Sequence, residues 1–199
     1  EIGAAIFFSN CMSDSGLLVA TYPHQEVGTP QGYLSVETHL REFFLRGHYV
    51  WSSILWRRSV LEHIGYPYLH TGMPSDVDFQ IQAFSRYPVH LSRDTGAIYS
   101  SHDDGQFSDG YSTREIPNFA KLIKRMDASV GPLFGPEEYR MLRALFFDRY
   151  KGLWTRTPAV PLEEHRKVVI AAIAGIRLGD WDLAERILCE YSPVDESYR

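Results

Sequence analysis

Cysteine is scarce in this chain, and each of its scarcities narrows what it can be. Only Cys11 and Cys189 occur among the 199 residues. Two cysteines so far apart offer no disulfide framework and fit a reducing cytoplasm. Long apolar runs are missing too. The best, Val168 to Ile176, reaches about half of the roughly 18–20 residues a membrane helix needs. A basic start followed by an apolar stretch and a cleavage pattern is absent, so no secretion signal is read. Bases are outnumbered, with Lys+Arg 20 against Asp+Glu 25, a net charge of −5 and a pI near 5.9. Binding to phosphate backbones needs a basic face, so nucleic acid is excluded as the expected partner. The eight histidines include no pair at zinc-type HExxH spacing.

What remains is ordinary globular material, 44% hydrophobic and 23% charged, enough for one sizeable core or one domain with a small appendage. The chain opens on Glu1 rather than Met, and Ile2 to Ser9 already reads as a buried strand. A piece of a longer polypeptide is therefore expected.

Periodicity divides the chain into three regions. In the first, Gly3 to Ser9 is a continuous apolar run of strand character, and Ser13 to Gly16 a turn. Leu17 to Thr21 is a second strand, and Tyr22 to Tyr33 a loop rich in proline and glycine. Ser35 to Arg46 follows as an amphipathic helix with Val36, Leu40, Phe43 and Phe44 on one face, closed by Gly47. In the second region, Val50 to Trp56 is extended, Ser59 to Gly65 a short helix, and Ser75 to about Arg86 another. Val89 to Leu91 and Thr95 to Ser100 are strands. The third, 114–199, is helical, with helices over Glu115 to Asp127, Pro136 to Trp154, Leu162 to Leu178 and Trp181 to Tyr191. The last two form a helical hairpin across Gly179-Asp180. The expected division is thus an α/β part over 1–113 and a helical part over 114–199, with the hairpin at 162–191.

Chemistry-bearing residues concentrate in the second region. In Pro74-Ser-Asp-Val-Asp-Phe79, Ser75 suits an N-cap, and Asp78 stands where a capping-box carboxylate reaches back. Asp76 lies in the first turn, where an acid complements the helix dipole. Residues two apart on a helix point about 200° apart, so the two carboxylates cannot face one pocket. His102 ends a strand and opens a polar loop. It reads as a surface or capping histidine or, with nearby aspartates, as a ligand for a divalent cation. Arg57 and Arg58 follow the apolar run Ser53 to Trp56 and suit either bidentate binding of phosphate or carboxylate or a structural ion pair. Tyr49 and Trp51 suit stacking on a sugar ring or a place in the core.

The order of these features resembles family 2 glycosyltransferases. Those enzymes carry a short strand ending in Arg-Arg with a helix ending in Gly, as in Val50 to Gly65. An acidic motif of the Ser-Asp-X-Asp-Phe type follows, as in Ser75 to Phe79. Then come two strands, the second ending in Tyr, with a His beyond, as in Val89 to Leu91, Ala97-Ile-Tyr99 and His102. Ala5 to Asn10 with Ser13 to Gly16 is similar to their strand and turn after the nucleotide-sugar site. The resemblance covers about residues 1–105.

It implies a partial GT-A fold, a mixed sheet with helices, followed by the helical C-terminal region. It implies an inverting transfer from a nucleotide-diphospho-sugar to a hydroxyl of an acceptor glycan, lipid or protein, in glycan or cell-surface polysaccharide synthesis. Asp76 takes the part of the catalytic base. Trp51, Ser52, Arg58 and Asp78 take substrate-binding parts, and His102 helps bind the metal. A divalent metal, Mg or Mn, is implied as cofactor, held with a family Asp-X-Asp motif and nucleotide-binding half that would precede Glu1. The implied place is the cytoplasm or the inner face of a membrane, with no transmembrane segment. Two other readings stand beside it. One is a non-catalytic helical interaction or oligomerisation module, such as a homo-oligomer. The other is a metal hydrolase using Asp76, Asp78 and His102.

Overall fold

A computed structural model describes residues 1–13, 15–22, 30–65, 75–100 and 116–154. Its sheet is mixed. The first strand, β1 (Ala4–Met12), pairs antiparallel with β2 (Leu18–Tyr22) and with β4 (Ile54–Trp56), and parallel with β5 (Val89–Ser100). Strand β3 (Gly32–Leu34) pairs antiparallel with the outer side of β5, giving the order β2-β1-β5-β3 with β4 also on β1. The β1–β2 connection turns where expected. Ser13 N donates to Leu17 O at 2.9 Å, and Gly16 takes φ 77°, which glycine adopts without a Cβ penalty.

Register sets the two faces of the sheet. Leu34, Val89, Ala4 and Trp56 align across four strands, as do Gly32, Leu91, Ile6 and Ile54. Val89, Ala4, Leu91 and Ile6 in these rows are buried. The row between them, Tyr33, His90, Ala5 and Leu55, points to the opposite face by the two-residue alternation of strands, and Tyr33 and Leu55 are exposed. Two separate strands are expected over 89–100. They form one continuous strand instead, but its pairing with β1 slips between Leu91 and Thr95. There Ser92 Oγ donates to Asp94 Oδ2 at 2.6 Å and accepts from Asp94 N at 3.1 Å, a local turn that competes with the ladder. A second slip skips Gly96, where a Cβ would come within 2.4 Å of Phe7 Cβ.

The described helices form close to where their patterns place them. Helix α1 (Val36–Arg46) starts at the Ser35 cap, whose side chain accepts from Thr38 N, and stops at Gly47, φ 101°. Its buried face is His39, Leu40, Phe43 and Phe44, and each such apolar side chain contributes about 1.5–3 kcal/mol of burial. Val50 to Trp56 is not extended throughout, because Trp51–Ser53 winds into a single 3₁₀ turn before β4. Helices α2 (Arg58–Ile64), α3 (Ser75–Phe84), α4 (Ile116–Val130) and α5 (Pro136–Trp154) complete the described set. Helix α4 packs on α3, and α5 on α1. Leu122, Ile123, Met126 and Val130 of α4, with Leu142 and Phe146 of α5, share one core cluster with the sheet residues. The described parts of the two expected regions therefore share a core. The hairpin expected over 162–191 lies outside the described residues.

Candidate functional site

Helix α3 is buried almost all round. Of its ten residues, every one is buried except Asp76. A polar group inside must find a partner or cost stability, and the polar side chains of α3 divide by direction. Towards α4, Arg125 Nε lies 3.0 Å from both oxygens of Asp78, and Gln82 Nε2 donates to Ser129 Oγ at 3.2 Å. In the other direction, Gln80 meets the main chain of Tyr49. Its Oε1 accepts from Tyr49 N at 3.0 Å, and its Nε2 donates to Tyr49 O at 2.9 Å. Losing one such buried partner costs about 1–3 kcal/mol.

Asp78 is only 3% exposed, so its carboxylate is absorbed by the Arg125 guanidinium. The Ser75 half of the expected capping box does not form: α3 begins at Ser75, whose buried Oγ has no hydrogen-bond partner. Asp76 is different. Its Oδ1 accepts from the amide of the next residue, Val77, at 2.8 Å, and it is half-buried at the helix N-terminus. The two aspartates point apart, as helical geometry requires.

Opposite α3 stands the Trp51–Ser53 turn. The Trp51 ring packs 5.3 Å from Phe79 and 5.5 Å from Trp56, and Trp56 lies 4.9 Å from Phe79. Phe79 is three residues beyond Asp76, so both lie on one side of α3, separated along its axis by about 4.5 Å. The structure thereby brings the Trp51 turn to the flank of α3 that carries Asp76. Ser52 sits exposed at the tip of that turn. Beneath it, Ser53 Oγ donates to Val50 O at 2.7 Å. Trp51 is half-buried and serves partly as core, while Trp56 Nε1 is buried without a partner.

Arg58 stands apart from this group. Its side chain is 90% exposed and pairs with Glu62 on its own helix at 2.7 Å. Its neighbour Arg57 binds Ile2 O and Glu1. His102 lies outside the described residues. Among the described residues, no group of three or more His, Cys, Asp or Glu could hold a metal ion.

Sequence reasoning missed the support behind the turn. The Tyr49 hydroxyl and His39 Nε2 lie 3.0 Å apart, and both residues are buried. Burial lowers the His39 pKa to about 3 and raises that of the Tyr49 phenol. His39 is therefore neutral at physiological pH. It stacks on Tyr49 and meets the edge of Phe84. One signal was available: Gln80 and Gln82 stand in a helix that is otherwise apolar beyond its first turn, so each required a buried partner. Which partner depends on the tertiary fold. Comparisons with protein-family models, curated proteins and solved structures gave no match to this chain.

Proposed function

We propose that this chain is the acceptor side of an inverting glycosyltransferase of the GT-A type, with Asp76 as its base. One observation carries the reading. On a helix whose other residues are all buried, Asp76 alone stays reachable, and its carboxylate engages only a neighbouring amide among the described residues. Placed beside an aromatic turn with an exposed serine, such a carboxylate suits a hydroxyl substrate. Asp76 takes the acceptor hydroxyl proton, and the freed oxygen attacks the anomeric carbon of a nucleotide-diphospho-sugar. The bond from that carbon to the diphosphate breaks, its electron pair leaves with the nucleoside diphosphate, and the configuration inverts. Trp51 offers an apolar ring face to the sugar and Ser52 a hydroxyl at the turn's tip.

Asp78, given a substrate-binding part by resemblance, supports the site instead by fixing α3 to α4. Arg58 keeps its proposed substrate-binding part and His102 its proposed part toward the metal. In this reading the protein works in the cytoplasm or against the inner face of a membrane. No helix among the described residues is long and apolar enough to cross one, and Cys11 is a free cysteine. The test is release of nucleoside diphosphate from a panel of nucleotide-sugars, with glycan, lipid and protein acceptors, by the protein in its natural polypeptide. Acceptor-dependent release by the wild type and none by Asp76→Asn is expected; no release with any donor sinks the reading.

A second reading has its own observation. Leu45 on α1 with Met141 and Leu145 on α5 are exposed, on two helices joined by the Arg41–Glu138 pair. Such apolar side chains suit a helical interaction or oligomerisation module. Native mass measurement separates the two: a monomer at all concentrations removes self-association.

A further inference from the structure

We infer that Gln80 is a positioning residue that sets Trp51 and Ser52 against Asp76, an inference that rests on the acceptor-site reading above. Its amide grips both main-chain groups of one residue, Tyr49, at 3.0 and 2.9 Å. Tyr49 lies in neither helix nor strand, so no ladder satisfies its N–H and C=O. A primary amide does so because it offers one acceptor and one donor side by side, matching a peptide group. Leucine offers neither group, and asparagine is one methylene too short to keep the reach.

The grip has a direction. Gln80 is four residues beyond Asp76 and lies on the same helix side, one turn further along. Tyr49 is held at its other end by His39 of α1, so main chain and side chain are both fixed. Two residues on, the 3₁₀ turn starts from Val50, whose carbonyl accepts from Ser53 N at 2.9 Å and Ser53 Oγ at 2.7 Å. The exposed Ser52 thus hangs from a short segment, hydrogen-bonded at Tyr49 and at Val50 O, whose anchor is on the helix of the base. Trp51 is held by the same segment and by Phe79. The geometry relates Asp76 to the turn through two side chains of its own helix, Gln80 at the Tyr49 main chain and Phe79 at the Trp51 ring.

The same helix supplies the control. Gln82 is also buried, but its amide reaches Ser129 on α4, away from the turn. Gln80→Leu and Gln82→Leu each delete a buried amide from α3. Only the first is expected to move the Trp51 indole resonance, assigned by Trp51→Phe, and to raise the acceptor KM. With Gln80→Leu, acceptor kcat/KM is expected to fall on the order of 10–100-fold, as for a misplaced substrate, while the donor KM stays near wild type. Equal indole shifts in both variants, or none in either, overturn the inference.

Amide hydrogen exchange in the wild type tests the grip without any substitution. Tyr49 N–H is expected to exchange far more slowly than Ser52 N–H; equal rates overturn the grip. The indole and exchange readouts need no turnover. If the protein transfers no sugar, the acceptor-site reading fails while these two still decide whether Gln80 holds the turn.

Discussion

The two flanks of α3 carry the same kinds of residue and do different things with them. Towards α4, an aspartate and a glutamine four apart are consumed by an arginine and a serine, also four apart. Towards the Trp51 turn, again an aspartate and a glutamine four apart, the glutamine is consumed by the Tyr49 main chain but the aspartate is left reachable. Residue type does not separate Asp76 from Asp78. The difference is whether a neighbouring element supplies a cation: among the described residues Asp78 meets one and Asp76 does not.

That comparison breaks most easily at Asp78. Asp78→Ala leaves Arg125 without its carboxylate. Because the Arg125 side chain is 37% exposed and can rehydrate, the expected cost is moderate, about 2–3 kcal/mol of unfolding free energy. Urea unfolding measures it, and a cost near zero would remove the structural flank.

Acid sharpens the comparison next, because it reaches the Tyr49 flank first. His39 titrates at about 3 when folded and near the ordinary 6.5 when unfolded. Between those values the unfolded chain binds the extra proton, so stability is full above about pH 6.5 and declines as pH falls towards 3. The slope approaches about 1.4 kcal/mol per pH unit. Comparing unfolding of the wild type and His39→Gln between pH 7 and 5 isolates this contribution, ahead of the carboxylate range. Parallel curves for the two proteins would contradict the buried neutral histidine.

The smallest effect belongs to Arg58. Its pair with Glu62 is exposed, so Arg58→Ala is expected to leave thermal unfolding within about 0.5 kcal/mol of wild type. Against that unchanged background, any loss in nucleotide-sugar binding by the variant speaks for a part in donor recognition.

Much of the fold was legible in the sequence, for local reasons. Ser35 and Gly47 bound α1 by cap chemistry, and the apolar run after Gly3 became β1. The separation expected between Leu91 and Thr95 is instead a register slip within one strand, where Ser92 and Asp94 bond to each other. The opposed directions of Asp76 and Asp78 followed from helical geometry alone. What could not be read depends on pairings far along the chain. Asp78 meets Arg125 across 47 positions, and Gln80 meets Tyr49 across 31. Strand β3 and the 3₁₀ turn at Trp51 likewise take shape from β5 and Phe79. Packing decides which polar residue of α3 is spared.

The central claim is that the spared residue, Asp76, is a base and not a support. Asp76→Asn keeps the side chain's shape and its bond to the Val77 amide but cannot take a proton. Measured side by side with wild type, it is expected to lose acceptor-dependent sugar transfer on the order of 10²–10⁴-fold with unchanged unfolding and donor binding. Retained transfer in a folded Asp76→Asn protein would contradict the account.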